Sequence, residues 1–166
     1  MKIEYKTIYH SAIGPLEIVG TETAITQINF MDTASEAIEK EQSDMPSVIT
    51  DCISQLAAYF QGERQEFLLP LEPKGTEFQQ SVWCQLLAIP YGQTVSYLNI
   101  ARQLHNEKAI RAVGAANGQN PIVIVIPCHR VIGSNGQLTG YGGGLWRKAW
   151  LLQHEKQFSS PQLALF

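Results

Sequence analysis

The chain has 166 residues, 45% of them hydrophobic and 16% charged, with a formal net charge of −3. That length can bury a core as one domain or two small ones, and that balance excludes a disordered or fibrous chain. No apolar run approaches the ~20 residues that span a bilayer, the N-terminal MKIEYKTIYHS lacks the apolar stretch of a secretory leader, and three cysteines without a CxxC spacing argue against a disulfide framework and a cysteine-rich zinc site.

A reducing cytosol is the simplest compartment for such a chain. In chain order, residues 3–9 alternate, with Ile3, Tyr5, Thr7 and Tyr9 on one face, and predict a strand. Gly14-Pro15 reads as a turn, and 16–20 and 25–30 as two further short strands. Residues 32–46 are acidic and polar, a surface loop or short helix. Apolar residues at 48, 49, 52, 53, 56, 57 and 60 make a helical stripe over 47–60, with Gly62 just beyond its end and Cys52 in its core face. Residues 67–71 fit one more strand.

Leu71-Glu72-Pro73-Lys74-Gly75 reads as a linker, and the charge changes sign across it. Residues 1–73 hold four basic and twelve acidic side chains, net −8; residues 74–166 hold eight and three, net +5. Two units with different partners are therefore expected, 1–73 and 74–166. The second opens with a helix over 76–89, with Val82, Leu86 and Ile89 as core stripe and Cys84 structural beside it. A short helix over 96–104, N-capped by Ser96, a polar turn at His105-Asn106-Glu107, and a helix over 109–117 suggest a helix-turn-helix. The last of these is made of small residues, with Arg111 as its one long cation. Such a smooth helix packs tightly on a neighbour or lies against DNA, read by shape rather than by base edges.

Asn120-Pro121 then leads through an aliphatic run to Pro127-Cys128-His129-Arg130-Val131. The run between the prolines predicts a buried extended segment. The neighbouring His129 and Arg130 predict a Cys128 thiol shifted toward thiolate, with His129 as its base. The same pair is also compatible with an inert buried cysteine beside a core histidine. No dinucleotide-binding glycine pattern and no metal-ligand spacing is present, so no cofactor and no metal are expected.

The Pro-Cys-His-Arg-Val motif resembles the active site of the O6-alkylguanine-DNA alkyltransferase family. The likeness extends to Phe78-Gln79 and Trp83, to Pro90-Tyr91-Gly92 through Tyr97, to Arg111 through Asn117, to Gly140-Tyr141-Gly142-Gly143-Gly144 and to Trp150 through Glu155. It is looser over 1–73. The resemblance implies an α+β protein: a small mixed β-sheet with a helix, ribonuclease H-like, then a mostly helical, winged-helix-like domain with the helix-turn-helix. It implies repair of O6-alkylguanine, and O4-alkylthymine, in double-stranded DNA by a monomer that flips the base out and alkylates its own Cys128 once. His129 would take the thiol proton through a water, Glu155 would orient His129, Asn120 would brace the turn, and Tyr97 would protonate the leaving base. Arg111 would fill the gap in the stack, and Ala112, Gly114, Ala115 and Asn117 would face DNA. Gln79 and Asn106 would meet phosphates. Val131, Tyr141, Gly142 and Gly143 would wall the pocket with Tyr97. Gly142 stands where relatives often carry a larger residue, and the tail after Glu155 carries no motif. Other readings are a non-catalytic lesion sensor, which would lack Cys128, a Cys-His hydrolase, and a transcription factor.

Overall fold

The structure is a computed structural model that describes residues 2–32 and 44–159. It forms two compact units. Met1–Lys74 with Pro121–Val125 makes the first, and Gly75–Asn120 with Ile126–Phe166 the second. Most of the acidic stretch expected as a loop or short helix, and the tail beyond 159, lie outside the described residues.

In the first unit, β1 (Tyr5–Ser11), β2 (Gly14–Gly20) and β3 (Ile25–Phe30) form an antiparallel meander in that order. Ser11 pairs with Gly14, so the two-residue turn is Ala12-Ile13 and not Gly14-Pro15. Gly14 opens β2 at φ 110, a value that glycine adopts without strain. The outer edge of β3 is met by single parallel bridges, Ile25 to Leu71 and Ile28 to Ile122, which lie outside the strands; the sheet itself is antiparallel and not mixed as expected. The strand expected over 67–71 is reduced to that one bridge, because β3 pairs with it only at Ile25, through Pro70 and Glu72.

Pro121–Val125, which the sequence groups with the second half, returns to this unit by backbone bonds. Ile28 N donates to Pro121 O and Val123 N to Ile28 O. Helix α1 (Ser47–Phe60) has the predicted bounds and buries Val48, Ile49, Cys52, Leu56 and Tyr59 against the sheet. Gly20 permits this contact, since a Cβ there would stand 2.8 Å from Ile49 Cδ1 and 2.7 Å from Ala24 O. Burial pushes the Cys52 thiol up to about 12, as befits a core residue.

The second unit is helical: α2 (Glu77–Leu87), α3 (Tyr97–Gln103), α4 (Ile110–Gly118) and α5 (Leu145–Ser159). Thr76 caps α2 through a reciprocal pair with Gln79, and Ser96 caps α3 through the same arrangement with Asn99. Between α3 and α4 the chain turns at His105, φ 58, and passes through the single 3-10 turn Glu107–Ala109. Helices α3 and α4 pack together as the helix-turn-helix reading requires. Trp83 is 2% exposed, and its indole N–H donates to Ala116 O at 2.9 Å, which ties α2 to α4. Two residues on each side, β4 (Val95–Ser96) and β5 (Val131–Ile132), pair in parallel beside the helices.

Candidate active site

Asn120 and the turn after it present the cysteine. The apolar run between Pro121 and Pro127 is not an extended strand. After the bridge at Ile122 the chain turns, with Ile124 at φ 73. A β-branched residue rarely takes that conformation, so the surroundings hold it there. Asn120 Nδ2 donates to Ile126 O at 2.7 Å and closes the turn. Cys128–Arg130 then forms a 3-10 turn whose three side chains are all buried, Cys128 being 4% exposed.

Two consecutive residues bury their polar ends against α5. Arg130 grips Glu155 with both faces of its fork, Nε to Oε1 at 2.7 Å and Nη2 to Oε2 at 3.0 Å, and donates from Nη1 to Ile89 O at 2.7 Å. His129 Nε2 lies 2.6 Å from Glu155 Oε2. Burial works to raise Glu155, but His129 and the Arg130 guanidinium hold its carboxyl well below the usual carboxylate range. An ionised carboxylate only accepts, so His129 must carry its proton on Nε2. That leaves Nδ1, which is buried and has no hydrogen-bond partner among the described residues, as the basic atom. Burial lowers His129 against the pull of Glu155, so the ring is neutral and ready to accept a proton near neutrality.

The expectation for Cys128 is corrected. Burial dominates and pushes the thiol up to about 11, although the Asn120 side chain and the charge of Lys148 act to lower it. Charged neighbours in sequence do not offset removal from water. At rest Cys128 is the thiol and not the thiolate.

Of the predicted pocket residues, Val131 and Tyr141 lie beside Cys128. The Tyr97 hydroxyl accepts from Thr139 Oγ1 at 3.0 Å, which leaves the Tyr97 proton free for another acceptor. Val131 is fully buried, its N–H donates to Cys128 O and its carbonyl accepts from Lys148 Nζ at 2.7 Å. The Tyr141 hydroxyl is buried, and its acidity is weakened first by that burial and then by the neighbouring Cys128. Gly143 O accepts from Arg147 Nη1 at 3.2 Å. A Cβ at Gly142 would meet nothing within 4 Å, so the loop is open there.

On α4, Arg111, Ala112, Ala115 and Gly118 are exposed along one face, and Val113, Ala116 and Asn117 are buried on the other. Gly114 lies between, where a Cβ would sit 3.9 Å from the Tyr97 ring. Asn117 is therefore corrected. It is 2% exposed and its Nδ2 donates to Cys128 O at 3.3 Å, so it supports the Cys128 turn instead of facing outward. Gln79 is drawn into its own cap and donates to Gln119 Oε1 at 2.7 Å, while Asn106 is exposed. Sequence reasoning missed Arg130 as the clamp on Glu155, Thr139, and the buried Lys148. The signal for Lys148 was present: 148, 151 and 155 share one helix face, so a lysine there points inward with Leu151 and Glu155. The described residues contain no cluster that could hold a metal ion.

Two family models match the chain. One is "6-O-methylguanine DNA methyltransferase, ribonuclease-like domain" over residues 4–73, and the other "6-O-methylguanine DNA methyltransferase, DNA binding domain" over 77–157. The chain is 48% identical over 164 residues to a methylated-DNA–protein-cysteine methyltransferase of Mycobacterium tuberculosis, covering 99% of each. It is 48% identical over 153 residues to one of Methanosarcina acetivorans, covering 91% of this chain and 97% of that one. A crystal structure of the Mycobacterium tuberculosis protein OGT in complex with DNA is similar with TM-score 0.83 at 46% identity, covering 97% of this chain and 98% of that one.

Proposed function

The chain belongs to the 6-O-methylguanine DNA methyltransferase family, and from that premise we propose that it reverses O6-alkylguanine damage in duplex DNA by moving the alkyl group onto Cys128. One observation carries the reading. The Cys128 thiol shares a buried turn with His129, whose only protein-engaged nitrogen is held by Glu155, and the backbone of that turn is held by Asn117 from the inner face of α4.

The chemistry follows from the geometry. The damaged base must leave the stack, because its O6 substituent is unreachable inside the duplex. The exposed small-residue face of α4 suits the minor groove, and Arg111 projects from it to fill the space left behind. Ala112, Gly114 and Ala115 allow the close approach; the exposed Asn106 would meet a phosphate, and Gln79 would have to leave Thr76 and Gln119 to do so. The S–H proton passes to His129 Nδ1 through a bridging water. Glu155 stabilises the imidazolium that forms, at 2.6 Å from Nε2. The thiolate attacks the alkyl carbon, the carbon–O6 bond breaks, and its electron pair goes to the purine. Tyr97 donates a proton to a ring nitrogen as that charge develops. Val131, Tyr141, Gly142 and Gly143 wall the alkyl group. O4-alkylthymine presents the same alkyl-oxygen bond and is a second substrate.

The product is a thioether, which offers water no carbonyl, so each molecule acts once; one chain supplies every residue of the step, and we take the acting form as a monomer on that ground. No cofactor enters the balance. Cys128 has to remain reduced, which a reducing compartment such as the cytoplasm supplies.

Intact mass after incubation with an oligonucleotide containing O6-methylguanine tests this reading. The expected result is one added methyl group, mapped to Cys128, with activity lost in proportion, and a Cys128→Ser variant that binds the oligonucleotide unchanged in mass. Continued turnover would indicate a hydrolase. Binding without a mass change would indicate a lesion sensor, and sequence-selective binding of undamaged DNA a transcription factor.

A further inference from the structure

Thr139 stands 42 residues beyond Tyr97 in the chain, yet its Oγ1 donates to the Tyr97 hydroxyl at 3.0 Å. The contact is built from both sides. Val95–Ser96 pairs in parallel with Val131–Ile132, so Ser96, the cap of α3, lies opposite Ile132, and Tyr97 follows at once. Beyond Ile132 the chain closes a tight turn. Gly133 N donates to Gln137 O at 2.9 Å, and Asn135 Oδ1 accepts from Gln137 N at 3.1 Å. Gly133 permits this turn, since a Cβ there would stand 2.9 Å from Asn135 Oδ1. Two residues on, Thr139 is held by its carbonyl, which accepts from Lys148 Nζ at 2.8 Å, while the residue itself stays exposed. No step of alkyl transfer yet gives its hydroxyl a part.

We propose that Thr139 is a positioning residue for the departing base: by donating to the Tyr97 oxygen it turns the tyrosine's proton toward the base and stabilises the charge that this oxygen gains as the proton leaves. The proposal deepens the alkyl-transfer reading and rests on it. A phenol has one proton and accepts through its lone pairs. With Thr139 donating into one of them, the Tyr97 proton points away from Thr139. In the step, the sulfur–carbon bond forms, the carbon–O6 bond breaks, and the Tyr97 proton passes to a purine ring nitrogen. The Tyr97 oxygen then carries a negative charge, balanced by the proton on His129, and both groups return to neutral through solvent. Thr139 keeps its own proton throughout. A hydrogen bond to an ionised acceptor is roughly twice as strong as one between neutral groups. The bond from Thr139 therefore strengthens as transfer proceeds, and an interaction stronger in the transition state than before it raises the rate.

Two substitutions isolate the hydroxyl. Thr139→Val keeps the shape and removes the donor, and Thr139→Ser keeps the donor. Single-turnover methyl transfer from a saturating O6-methylguanine oligonucleotide is measured for both, and for Thr139→Val combined with Tyr97→Phe. Alkylation of Cys128 by iodoacetamide is the control, because iodide leaves without a proton. It is followed on the digested peptide so that the exposed Cys84 does not interfere.

Thr139→Val is expected to slow transfer about tenfold with duplex affinity unchanged, and Thr139→Ser to stay within about threefold of the wild type. Added to Tyr97→Phe, which is itself slow, Thr139→Val should cost nothing more, because the hydroxyl it acts through is already gone. Iodoacetamide should react at the wild-type rate in both Thr139 variants. Wild-type transfer by Thr139→Val or by Tyr97→Phe overturns the proposal. So does the same tenfold loss in the Tyr97→Phe background, or equal slowing in Thr139→Ser. A parallel loss in the iodoacetamide reaction overturns it as well, since the cysteine itself would then be disturbed. If Thr139→Val does not melt cooperatively, Thr139→Ala takes its place with the same expectations. A wild-type protein that transfers no methyl removes the alkyl-transfer reading and the proposal together, whereas equal transfer by the wild type and Thr139→Val removes the proposal alone.

Discussion

The two units bury different things. Among the described residues of the first unit, none of the charged side chains is buried, and its buried polar residues are Thr7 and Thr21. Its core is aliphatic and aromatic: Leu16, Ile18, Ile28, Ile49, Leu56 and Tyr59 are all at or near zero exposure. The second unit buries His129, Arg130, Arg147, Lys148 and Glu155, three of them completely. The charges among the described residues of the first half are therefore solvated, and such surface charge contributes little to stability at ordinary salt. Part of the charge of the second half has been taken out of water. That costs free energy unless every charge is paired, so the second unit trades stability for a preformed electrostatic site.

Removing one buried partner should expose that trade most strongly. Glu155→Gln leaves the Arg130 fork and His129 Nε2 without their anion. Breaking such a pair costs about 3–5 kcal/mol, and losing the orienting carboxylate slows proton transfer about 100-fold or more. All three tryptophans, 83, 146 and 150, lie in the second unit, so urea unfolding followed by tryptophan fluorescence reports on it directly. An unchanged midpoint would mean that the buried cluster is not under this electrostatic constraint. Leu56→Ala in the first unit should cost about 2–5 kcal/mol through the cavity it leaves. That loss should be seen by far-UV circular dichroism while the tryptophan transition and transfer by the folded protein hold. Equal shifts in both probes would show that the units unfold as one.

How far this contrast could be read in the sequence differs between the units. Helix α1 was legible to the residue, because its stripe and Gly62 agree, and the cap at Ser96 was legible from its side chain alone, whereas Thr76, expected inside its helix, turns out to cap it. Cys128, His129, Glu155 and Tyr97 were legible only through a long motif, since periodicity cannot say what a buried thiol is for. Failures came where tertiary pairing overrides local pattern. The apolar run from Pro121 to Pro127 has a strand's composition, but only Ile122 pairs with β3, and Asn120 folds the rest into a turn. Asn117 looks like an outward polar residue on a small-residue helix, and only the packing of α4 shows that it faces Cys128. The Cys128 thiol was misjudged because adjacency shows charges and not depth.

Acid should separate the units next. His129 is lowered by burial, so its neutral form stabilises the fold above the unfolded histidine value near ~6.5, and that contribution is lost as the pH falls through it. Glu155 is depressed as well, and its contribution is lost as the pH falls below the unfolded glutamate value near ~4.3. Both act in the second unit, so its tryptophan transition should weaken between about pH 6.5 and 4 before the first unit responds. Alkali should not discriminate. Cys52 and Cys128, raised to about 12 and about 11, belong to different units, and each contributes stability that is lost as the pH rises past the unfolded thiol value near ~8.5. Acid weakening of the circular dichroism transition ahead of the tryptophan one would reverse the assignment.

The smallest effect on stability belongs to the charge that was left outside. Arg111 is exposed on α4 and should be replaceable by alanine at a cost within about 0.5 kcal/mol. Its consequence lies in which substrate is slowed. A side chain that fills the gap in a base stack matters only when there is a stack, so Arg111→Ala should slow transfer from duplex about tenfold or more and leave reaction with free O6-methylguanine base unchanged. In the proposed reaction Arg130 and Glu155 serve the thiol proton through His129, so their variants should lose both substrates together. The split between the two rates thus sorts the cations of the second unit by what they face. Equal losses for Arg111→Ala on duplex and free base would place it with the buried set, and would remove the role in base flipping from α4.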